Sequence, residues 1–236
     1  MKSAFVTGAS RGLGLGFVEV LLSQGFQVFA GVLDPSLFAS PIKENPNLHI
    51  MKLDVTDDIQ IKNAFDEVSK LTSSLDLLIN NAGVNKDTAT NNHKELVCNL
   101  DKLDRGLLLK MVEVNAVSPM MITKYFLPLL KSDPSFIINI SSCRASFHDE
   151  WENLYADYGY RASKSALNIM TFYSTMDLPK NIQTFAVHPG DMKTDMNPNG
   201  EQDPRDQAKA IMKITENWDN SLNGKYLRYD GSLYPL

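Results

Sequence analysis

Short runs of apolar and β-branched residues alternate along the chain with longer stretches in which apolar residues recur at helical spacing. Runs of the first kind are typical of buried strands, and stretches of the second kind indicate amphipathic helices. The predicted strands cover residues 3–7, 26–32, 48–53, 75–79, 135–140, 182–188 and 225–229. The predicted helices cover about 13–24, 57–70, 101–130, 158–178 and 204–217, with Asp57 and Asp101 as N-caps of two of them.

Strands and helices that alternate in this order build repeated βαβ units, whose crossover connections are right-handed. We therefore predict an α/β fold in which residues 1–236 form a single doubly wound Rossmann-type domain. Its seven-stranded, mostly parallel sheet is flanked by helices on both faces, and its ligands bind beyond the carboxyl ends of the strands. Two polar, turn-rich stretches, 84–100 and 190–203, are predicted to be loops, one of them over the site.

Composition narrows the choice of function. The chain has 236 residues and a formal net charge of −5, which opposes binding to a nucleic-acid backbone. The two cysteines, Cys98 and Cys143, are too few for a disulfide framework, so we expect a reducing compartment and a cytoplasmic protein. No apolar run approaches the roughly 18 residues of a spanning helix, so we expect no membrane partner. The four histidines lack the paired spacing of a metal site, and no metal is predicted.

A glycine-rich turn, Thr7-Gly8-Ala9-Ser10-Arg11-Gly12-Leu13-Gly14, joins the first predicted strand to the first predicted helix. Such a turn lets a ligand phosphate touch the backbone amides at a helix N-terminus, although a plain strand-to-helix turn gives a similar pattern. Residues 8–12 also satisfy G-x-S-x-G, the nucleophile elbow of serine hydrolases. A hydrolase elbow follows several earlier strands, whereas this turn comes after only a few residues, so a bound pyrophosphate is the favoured interpretation.

Two further motifs make the chain resemble the short-chain dehydrogenase/reductase family. The turn 7–14 matches that family's T-G-x-x-x-G-x-G, residues 80–83 match its N-N-A-G, and residues 160–164 match its Y-x-x-x-K. The three motifs stand in the family's order, and the resemblance spans nearly the whole chain. The ending 226–231 and the insert 143–157 are most similar to the C-factor and sniffer carbonyl-reductase branch of the family.

The resemblance implies an NAD(P)-dependent oxidoreductase that transfers a hydride between nicotinamide and a carbonyl or alcohol substrate, with Tyr160 as acid/base. Lys164 lies four residues further on the same helix face, where its ammonium would lower the pKa of the phenol and hold the nicotinamide ribose. Ser142 would hold the substrate oxygen, and Asn115 would complete a proton relay through water. Spacing alone leaves Ser141 open as the serine, while the family position favours Ser142.

The resemblance also implies a set of cofactor contacts. These are Gly8, Ser10, Arg11, Gly12, Leu13, Gly14, Asp54, Val55, Asn81, Ala82, Gly83, Tyr160, Lys164, Pro189, Gly190 and Thr194. The usual determinants of cofactor choice are missing at the end of the second strand, where Val32 and Leu33 occupy the family positions. Arg11 favours the phosphate of NADP and Asp34 opposes it, and the balance predicts a slight preference for NADP over NAD.

The predicted partners are a small-molecule carbonyl or alcohol substrate and further copies of the chain. A homodimer or homotetramer is implied because family members commonly pair two helices across a two-fold axis. Residues 146–151 of the insert would add acidic and aromatic groups near the substrate mouth, or form a plain surface loop. The alternative function is a dinucleotide-binding signalling protein that resembles C-factor and has little turnover, and a serine hydrolase is a distant third.

Overall fold

The computed structural model describes residues 1–38, 40–85, 100–148 and 157–236. Most of the predicted loop 84–100 and the second half of the insert 143–157 therefore lie outside the described residues. Every residue named above as catalytic or cofactor-binding lies within them.

Seven strands form one sheet in the order β3-β2-β1-β4-β5-β6-β7. They are β1 (Ser3–Thr7), β2 (Gln27–Val32), β3 (Leu48–Lys52), β4 (Leu77–Asn80), β5 (Ser135–Ile140), β6 (Ile182–His188) and β7 (Tyr226–Arg228). Neighbouring strands pair in parallel throughout, with Ala4 opposite both Val28 and Leu77. Strands β1 and β5 are buried along their whole length, as expected where helices cover both faces. The predicted seven-stranded fold is confirmed.

Within the described ranges, six α-helices cover the sheet. They are α1 (Gly12–Ser23), α2 (Asp58–Leu71), α3 (Arg105–Val112), α4 (Ser118–Phe126), α5 (Tyr158–Ser174) and α6 (Pro204–Glu216). Helices α1 and α6 pack together over one core, in which Phe17 and Ile211 are fully buried. Helices α2 and α4 lie over a second core, where the rings of Phe5 and Phe126 stand 4.3 Å apart. The sheet is thus covered on both faces.

The ends of two helices test the predicted caps. Asp57 caps α2 as predicted, because its Oδ1 accepts hydrogen bonds from the backbone N of Ile59 and of Gln60. The prediction of Asp101 as a cap is wrong. Helix α3 begins at Arg105, and the Oδ1 of Asp104 caps it by accepting a 2.8 Å hydrogen bond from the backbone N of Leu107.

The predicted helix 101–130 is observed as the continuous helical stretch Arg105–Leu129, in which a π-helical turn, Glu113–Val117, separates α3 from α4. By length and composition this stretch could cross a membrane, so the expectation that no segment reaches that limit is wrong. Its buried side chains, among them Ile122 and Phe126, pack into the second core, as those of a core helix do. The stretch is therefore weak evidence for a membrane span.

The strand order reverses between β1 and β4. The chain runs from β1 through β2 to β3 on one side and then returns to β4 on the other side. In an open parallel sheet, such a switch point leaves a crevice at the carboxyl ends of the two strands. Thr7 ends β1 and Asn80 ends β4, so the glycine-rich turn and the motif 80–83 lie side by side at this crevice.

Candidate active site

The glycine-rich turn has the backbone that its sequence predicts. Gly8 and Gly12 adopt φ values of 64° and 55°, in the left-handed region that favours glycine. Arg11 is the N-cap of α1 and its side chain does not bond the helix end, and the first turn carries no acidic residue. A helix N-terminus that is polar, positive and uncapped by its own side chains suits an anionic ligand such as a pyrophosphate.

A clamp of hydrogen bonds joins this turn to the motif 80–83. The Nδ2 of Asn81 donates to the carbonyl oxygens of Thr7 and Gly8, at 2.9 and 3.1 Å. In return, the Oγ1 of Thr7 accepts bonds of 3.0 Å from the backbone N of Asn81 and of Ala82. Asn81 therefore acts on the turn through its side chain, and Thr7 is a supporting residue that the sequence analysis did not assign.

Gly14 packs against the same clamp. A Cβ atom built on Gly14 would lie 2.2 Å from the carbonyl oxygen of Gly8 and 2.5 Å from the Nδ2 of Asn81. No ordinary contact is so short, so any side chain at this position forces the turn or the helix to move. Leu13 is buried in the first core, and Ser10 is half-buried on the turn.

Helix α5 brings Tyr160 and Lys164 together at the end of β5. The phenol of Tyr160 lies near the side chain of Ser142, which follows β5 and acts to lower the pKa of that phenol. The Nζ of Lys164 lies 5.8 Å from the centre of the Tyr160 ring and donates a 2.7 Å bond to the carbonyl oxygen of Ile140. Tyr160 and Lys164 are buried, with 8% and 4% of their surfaces exposed. The three predicted residues thus lie together at the crevice, with Tyr160 and Lys164 buried and Ser142 half-buried.

Burial dominates the electrostatics of this group. It raises the pKa of Tyr160 to about 12, although the side chain of Ser142 acts to lower that pKa. It also lowers the pKa of Lys164 to about 7, because a buried ammonium loses its hydration. The charged groups Asp157 and Cys143 also act to raise the pKa of the phenol, and Arg144 acts to lower it. Without a cofactor the pKa of Tyr160 thus lies above its ordinary value, and its lowering by the Lys164 ammonium together with the oxidised nicotinamide stays a prediction.

Asn115 lies in the π-helical turn, fully buried, and its amide is held by three hydrogen bonds. Its Oδ1 accepts from the backbone N of Val84, and its Nδ2 donates to the carbonyl oxygen of Val84, both at 2.8 Å. The same Nδ2 donates to the Oγ of Ser163 on α5, at 2.9 Å. A Cβ built on Gly83 would lie 3.2 Å from the Oδ1 of Asn115 and 3.6 Å from the Nζ of Lys164. The side chains of Asn115 and Lys164 therefore both lie beside Gly83.

The structure distinguishes the two adjacent serines. The Oγ of Ser141 is buried and has no hydrogen-bond partner among the described residues. The Oγ of Ser142 accepts a 3.3 Å bond from the backbone N of Arg144, and Ser142 lies near enough to Tyr160 to lower the pKa of its phenol. The geometry thus supports Ser142, the serine favoured by the family position.

The loop after β6 reaches the glycine-rich turn. Pro189 and Gly190 follow β6 directly, and Gly190 has φ 93°. Further along this loop, the Cγ2 of Thr194 would lie 3.4 Å from a Cβ built on Gly12. The predicted loop 190–203 contains two isolated β-bridges and no helix. The predicted nicotinamide contacts and the phosphate turn therefore stand on the same edge of the sheet.

The predicted adenine contacts lie at the end of β3. The carboxylate of Asp54 already accepts bonds from the backbone N and the Oγ1 of Thr56, at 2.9 and 2.7 Å. Val55 is buried in the second core. Asp54 therefore shapes the turn, Val55 takes part in core packing, and the adenine contact of both residues stays a prediction.

The residues expected to choose the cofactor are near the end of β2. Leu33 is exposed, and the carboxylate of Asp34 accepts bonds from the backbone N and the Oγ of Ser36, at 2.9 and 2.7 Å. These bonds lower the pKa of Asp34 below its usual value. The Nε of Arg11 lies 3.4 Å from the Oδ2 of Asp195, and both side chains are exposed. The carboxylate of Asp34 is thus favoured in its charged form, and the guanidinium of Arg11 already has an acidic neighbour.

Two residues near the site lie in segments that the sequence analysis noted, but it gave neither of them a role. Asp157 is buried with φ 44°, and its carboxylate lies 3.8 Å from the guanidinium of Arg144. The phenol of Tyr226 donates a 2.5 Å bond to the backbone carbonyl of Ser142, 84 positions away. Contacts between such distant residues follow from the sheet order, which no local pattern reports.

Comparisons with known proteins agree with this geometry. The family model described as short chain dehydrogenase matches residues 2–205. A short chain dehydrogenase of Penicillium aethiopicum is 31% identical and is aligned over 98% of this chain and 97% of its own. The structure is similar to an NADPH-bound carbonyl reductase from chicken fatty liver (TM-score 0.88, 30% identity, 100% and 99% coverage) and to the carbonyl reductase Sniffer of D. melanogaster (TM-score 0.88, 29% identity, 100% of both chains). The chain therefore belongs to the short-chain dehydrogenase/reductase family of oxidoreductases.

Proposed function

We propose that the protein is an NAD(P)H-dependent carbonyl reductase in which Tyr160 protonates the substrate oxygen. The observation that carries the proposal is the arrangement at the end of β5, where the buried Tyr160 lies 5.8 Å from the Nζ of Lys164 and near the side chain of Ser142. A substrate carbonyl placed at this group would accept bonds from both hydroxyls. Negative charge that develops on its oxygen would then be stabilised where water is excluded.

The residues present fit a nicotinamide dinucleotide. The turn from Gly8 to Gly14 leaves the amides of the α1 N-terminus without side-chain caps, and a Cβ at Gly14 would collide with the turn. Val55 would lie against the adenine, and the segment from Pro189 to Thr194 against the nicotinamide. When bound, this cofactor supplies the hydride, which side chains alone cannot provide.

The state of Tyr160 fits reduction. Because burial raises its pKa to about 12, the phenol holds its proton at neutral pH and can act as the acid. We propose that Lys164, whose pKa of about 7 lets it gain and lose a proton near neutral pH, returns the proton to this phenol. Asn115, fixed by its bonds to Val84 and Ser163, would hold the water through which the proton reaches Lys164.

We propose a slight preference for NADP over NAD. Arg11 stands exposed on the turn, and the backbone N of Ala9 donates to the carbonyl oxygen of Gly31, which brings the turn against the end of β2. A guanidinium at this place suits a 2′-phosphate, while the carboxylate of Asp34 opposes it. The related carbonyl reductase from chicken fatty liver holds NADPH in its crystal structure.

We propose a small-molecule carbonyl or alcohol as the substrate and a homo-oligomer as the working form. An apolar patch on α5 and just beyond it is exposed in the single chain. Its members are Ile169, Phe172, Tyr173 and Met176. A second copy would cover these side chains, and a dimer or tetramer in sedimentation would support this arrangement. Assignment of the whole chain to one domain, a cytoplasmic location and the absence of metal, membrane and nucleic-acid partners stay predictions.

The test is the oxidation of NADPH and of NADH, followed by absorbance, with a panel of aldehydes and ketones. A generic ester is included as the control for hydrolysis. We expect turnover of at least one carbonyl with NADPH and no ester cleavage. Tight NADPH binding without turnover of any carbonyl would favour the signalling alternative, and ester cleavage without NADPH oxidation would favour a hydrolase.

A further inference from the structure

We propose that Tyr226 is a positioning residue of the active site: its phenol holds the backbone carbonyl of Ser142 and thereby fixes the Ser142 hydroxyl beside Tyr160. The inference rests on the proposed function, because the roles of Ser142 and Tyr160 are assigned there. Tyr226 lies on β7, in the chain ending that the sequence analysis noted but gave no role.

The first step of the argument is the hydrogen bond itself. Tyr226 is buried, at 6% exposure, and its phenol donates a 2.5 Å bond to the carbonyl oxygen of Ser142. This length is at the short end of the range for O–H···O bonds. The same carbonyl accepts a 2.9 Å bond from the backbone N of Ala145, so both of its lone pairs are used. Because its Oγ accepts a bond from the backbone N of Arg144, Ser142 is held at both its carbonyl and its side chain.

The second step is the rigidity of Tyr226. After β7 the chain turns back, and the backbone N of Tyr234 donates a 2.8 Å bond to the carbonyl oxygen of Tyr226. The rings of these two tyrosines lie 5.1 Å apart, and Leu227 forms a β-bridge with Leu233. Tyr226 therefore presents its phenol from a hairpin that is paired on both sides, by β6 and by the returning chain.

The third step is the place where this hairpin packs. Ala145 and Ala186 lie against Tyr226 and Tyr234 in one small cluster. The ring of Tyr234 also lies 5.4 Å from the ring of His188, the residue directly before Pro189. One pair of aromatic rings thus contacts the ends of β5 and β6, the two strands that carry the proposed serine and nicotinamide contacts.

The consequence concerns the chemical step of the reaction. The hydroxyl of Ser142 must reach both the phenol of Tyr160 and the substrate oxygen, and errors well under an ångström matter in such sites. Without the bond from Tyr226, the carbonyl of Ser142 keeps only its bond from the backbone N of Ala145, so the Ser142 hydroxyl is held less firmly in that position. The loss therefore falls on kcat and leaves the binding of NADPH unchanged.

The experiment compares Tyr226→Phe with Tyr229→Phe. Both changes remove only a hydroxyl, and that of Tyr229 takes part in a long 3.5 Å bond with Gln202. For Tyr226→Phe we expect kcat to fall about five- to tenfold, the factor that corresponds to one hydrogen bond, with KM for NADPH unchanged. A kcat equal to that of Tyr229→Phe, or a loss that falls equally on KM for NADPH, would overturn the proposal.

A second measurement does not depend on activity. The amide of Ala145 donates to the carbonyl that Tyr226 holds, so its hydrogen exchange, followed by NMR, reports on that carbonyl. We expect exchange to be at least about tenfold faster in Tyr226→Phe, with Tyr229→Phe like the wild type. Unchanged exchange would refute the positioning role. If the wild type reduces no carbonyl, the proposed function fails, and the exchange rates still decide whether Tyr226 holds Ser142.

Discussion

Replacement of Gly14 by alanine tests whether the glycine-rich turn holds the cofactor. The added Cβ would lie 2.2 Å from the carbonyl oxygen of Gly8 and 2.5 Å from the Nδ2 of Asn81. Because an ordinary C···O contact begins near about 3.3 Å, either the helix or the turn must move by roughly 1 Å. Gly8 and Asn81 belong to the clamp, so the displacement moves the same backbone amides that are proposed to bind pyrophosphate.

The expected effect is larger on binding than on folding. Overpacking of this kind costs about 1–3 kcal/mol, which a domain with about 5–15 kcal/mol of stability survives. A displacement of roughly 1 Å breaks the alignment of several amides, so the Kd for NADPH should rise at least about tenfold, or 1.4 kcal/mol. Titration calorimetry with NADPH and urea unfolding measure the two quantities separately.

Gly106→Ala is the matched control. Its new Cβ would lie in the first turn of α3, where its nearest neighbour is the flexible carboxylate of Asp104 at 3.2 Å. This variant should bind NADPH as the wild type does. If folded Gly14→Ala binds NADPH within about twofold of the control, a change of only 0.4 kcal/mol, the dinucleotide does not sit on this turn and the reasoning is wrong.

Three more substitutions test the electrostatics. Burial lowers the pKa of Lys164 to about 7, so the unfolded chain holds more protons than the folded chain between pH 7 and 10.5. In urea unfolding, the stability of the wild type relative to Lys164→Met should therefore rise with pH through that range, by at most about 1.4 kcal/mol per pH unit. Parallel curves of stability against pH would contradict this. Burial also lowers the pKa of His188 to about 4. As pH falls from 6.5 to 4, the free energy of unfolding of the wild type should therefore drop by up to about 3 kcal/mol relative to that of His188→Asn. An equal drop in both proteins would show that His188 is not desolvated. Arg11→Ala should weaken NADPH about tenfold while NADH is nearly unchanged, whereas an equal loss for both cofactors would remove the basis of the NADP preference.

The strands were predictable because their environment is simple. In a sheet covered on both faces, β1 and β5 are buried along their whole length and therefore appear in the sequence as continuous apolar runs. The glycine-rich turn was predictable for a related reason, since positive φ at Gly8 and Gly12 and the close contact at Gly14 each demand glycine.

Helix boundaries and the π-helical turn were less predictable. Asp101 and Asp104 are equally good caps by residue type, and the sequence does not show that Leu100–Lys102 forms a separate 3-10 turn before α3. Asn115 lies in a π-helical turn, and its side chain bonds Val84 and Ser163. The amino acids of 113–117 show no pattern that predicts this turn.

The electrostatics of the site depend on burial, which the motif does not encode. The four-residue spacing of Tyr160 and Lys164 correctly places them on one helix face. It does not reveal that both side chains are buried. Burial favours the neutral form of each group, so it raises the pKa of Tyr160 and lowers that of Lys164. The bond from Tyr226 to Ser142 was not predictable for another reason. It joins β7 to the residues after β5, and these strands come near each other only because both flank β6 in the sheet.

The role of Tyr160 as the acid is tested most directly by Tyr160→Phe, measured as kcat for carbonyl reduction together with the Kd for NADPH. The substitution removes the buried hydroxyl and leaves the glycine-rich turn unchanged. The expected result is a kcat at least about 100-fold lower, as for a lost general acid, with a Kd within about twofold of the wild type. A variant that keeps more than about a tenth of the wild-type kcat would show that another group delivers the proton.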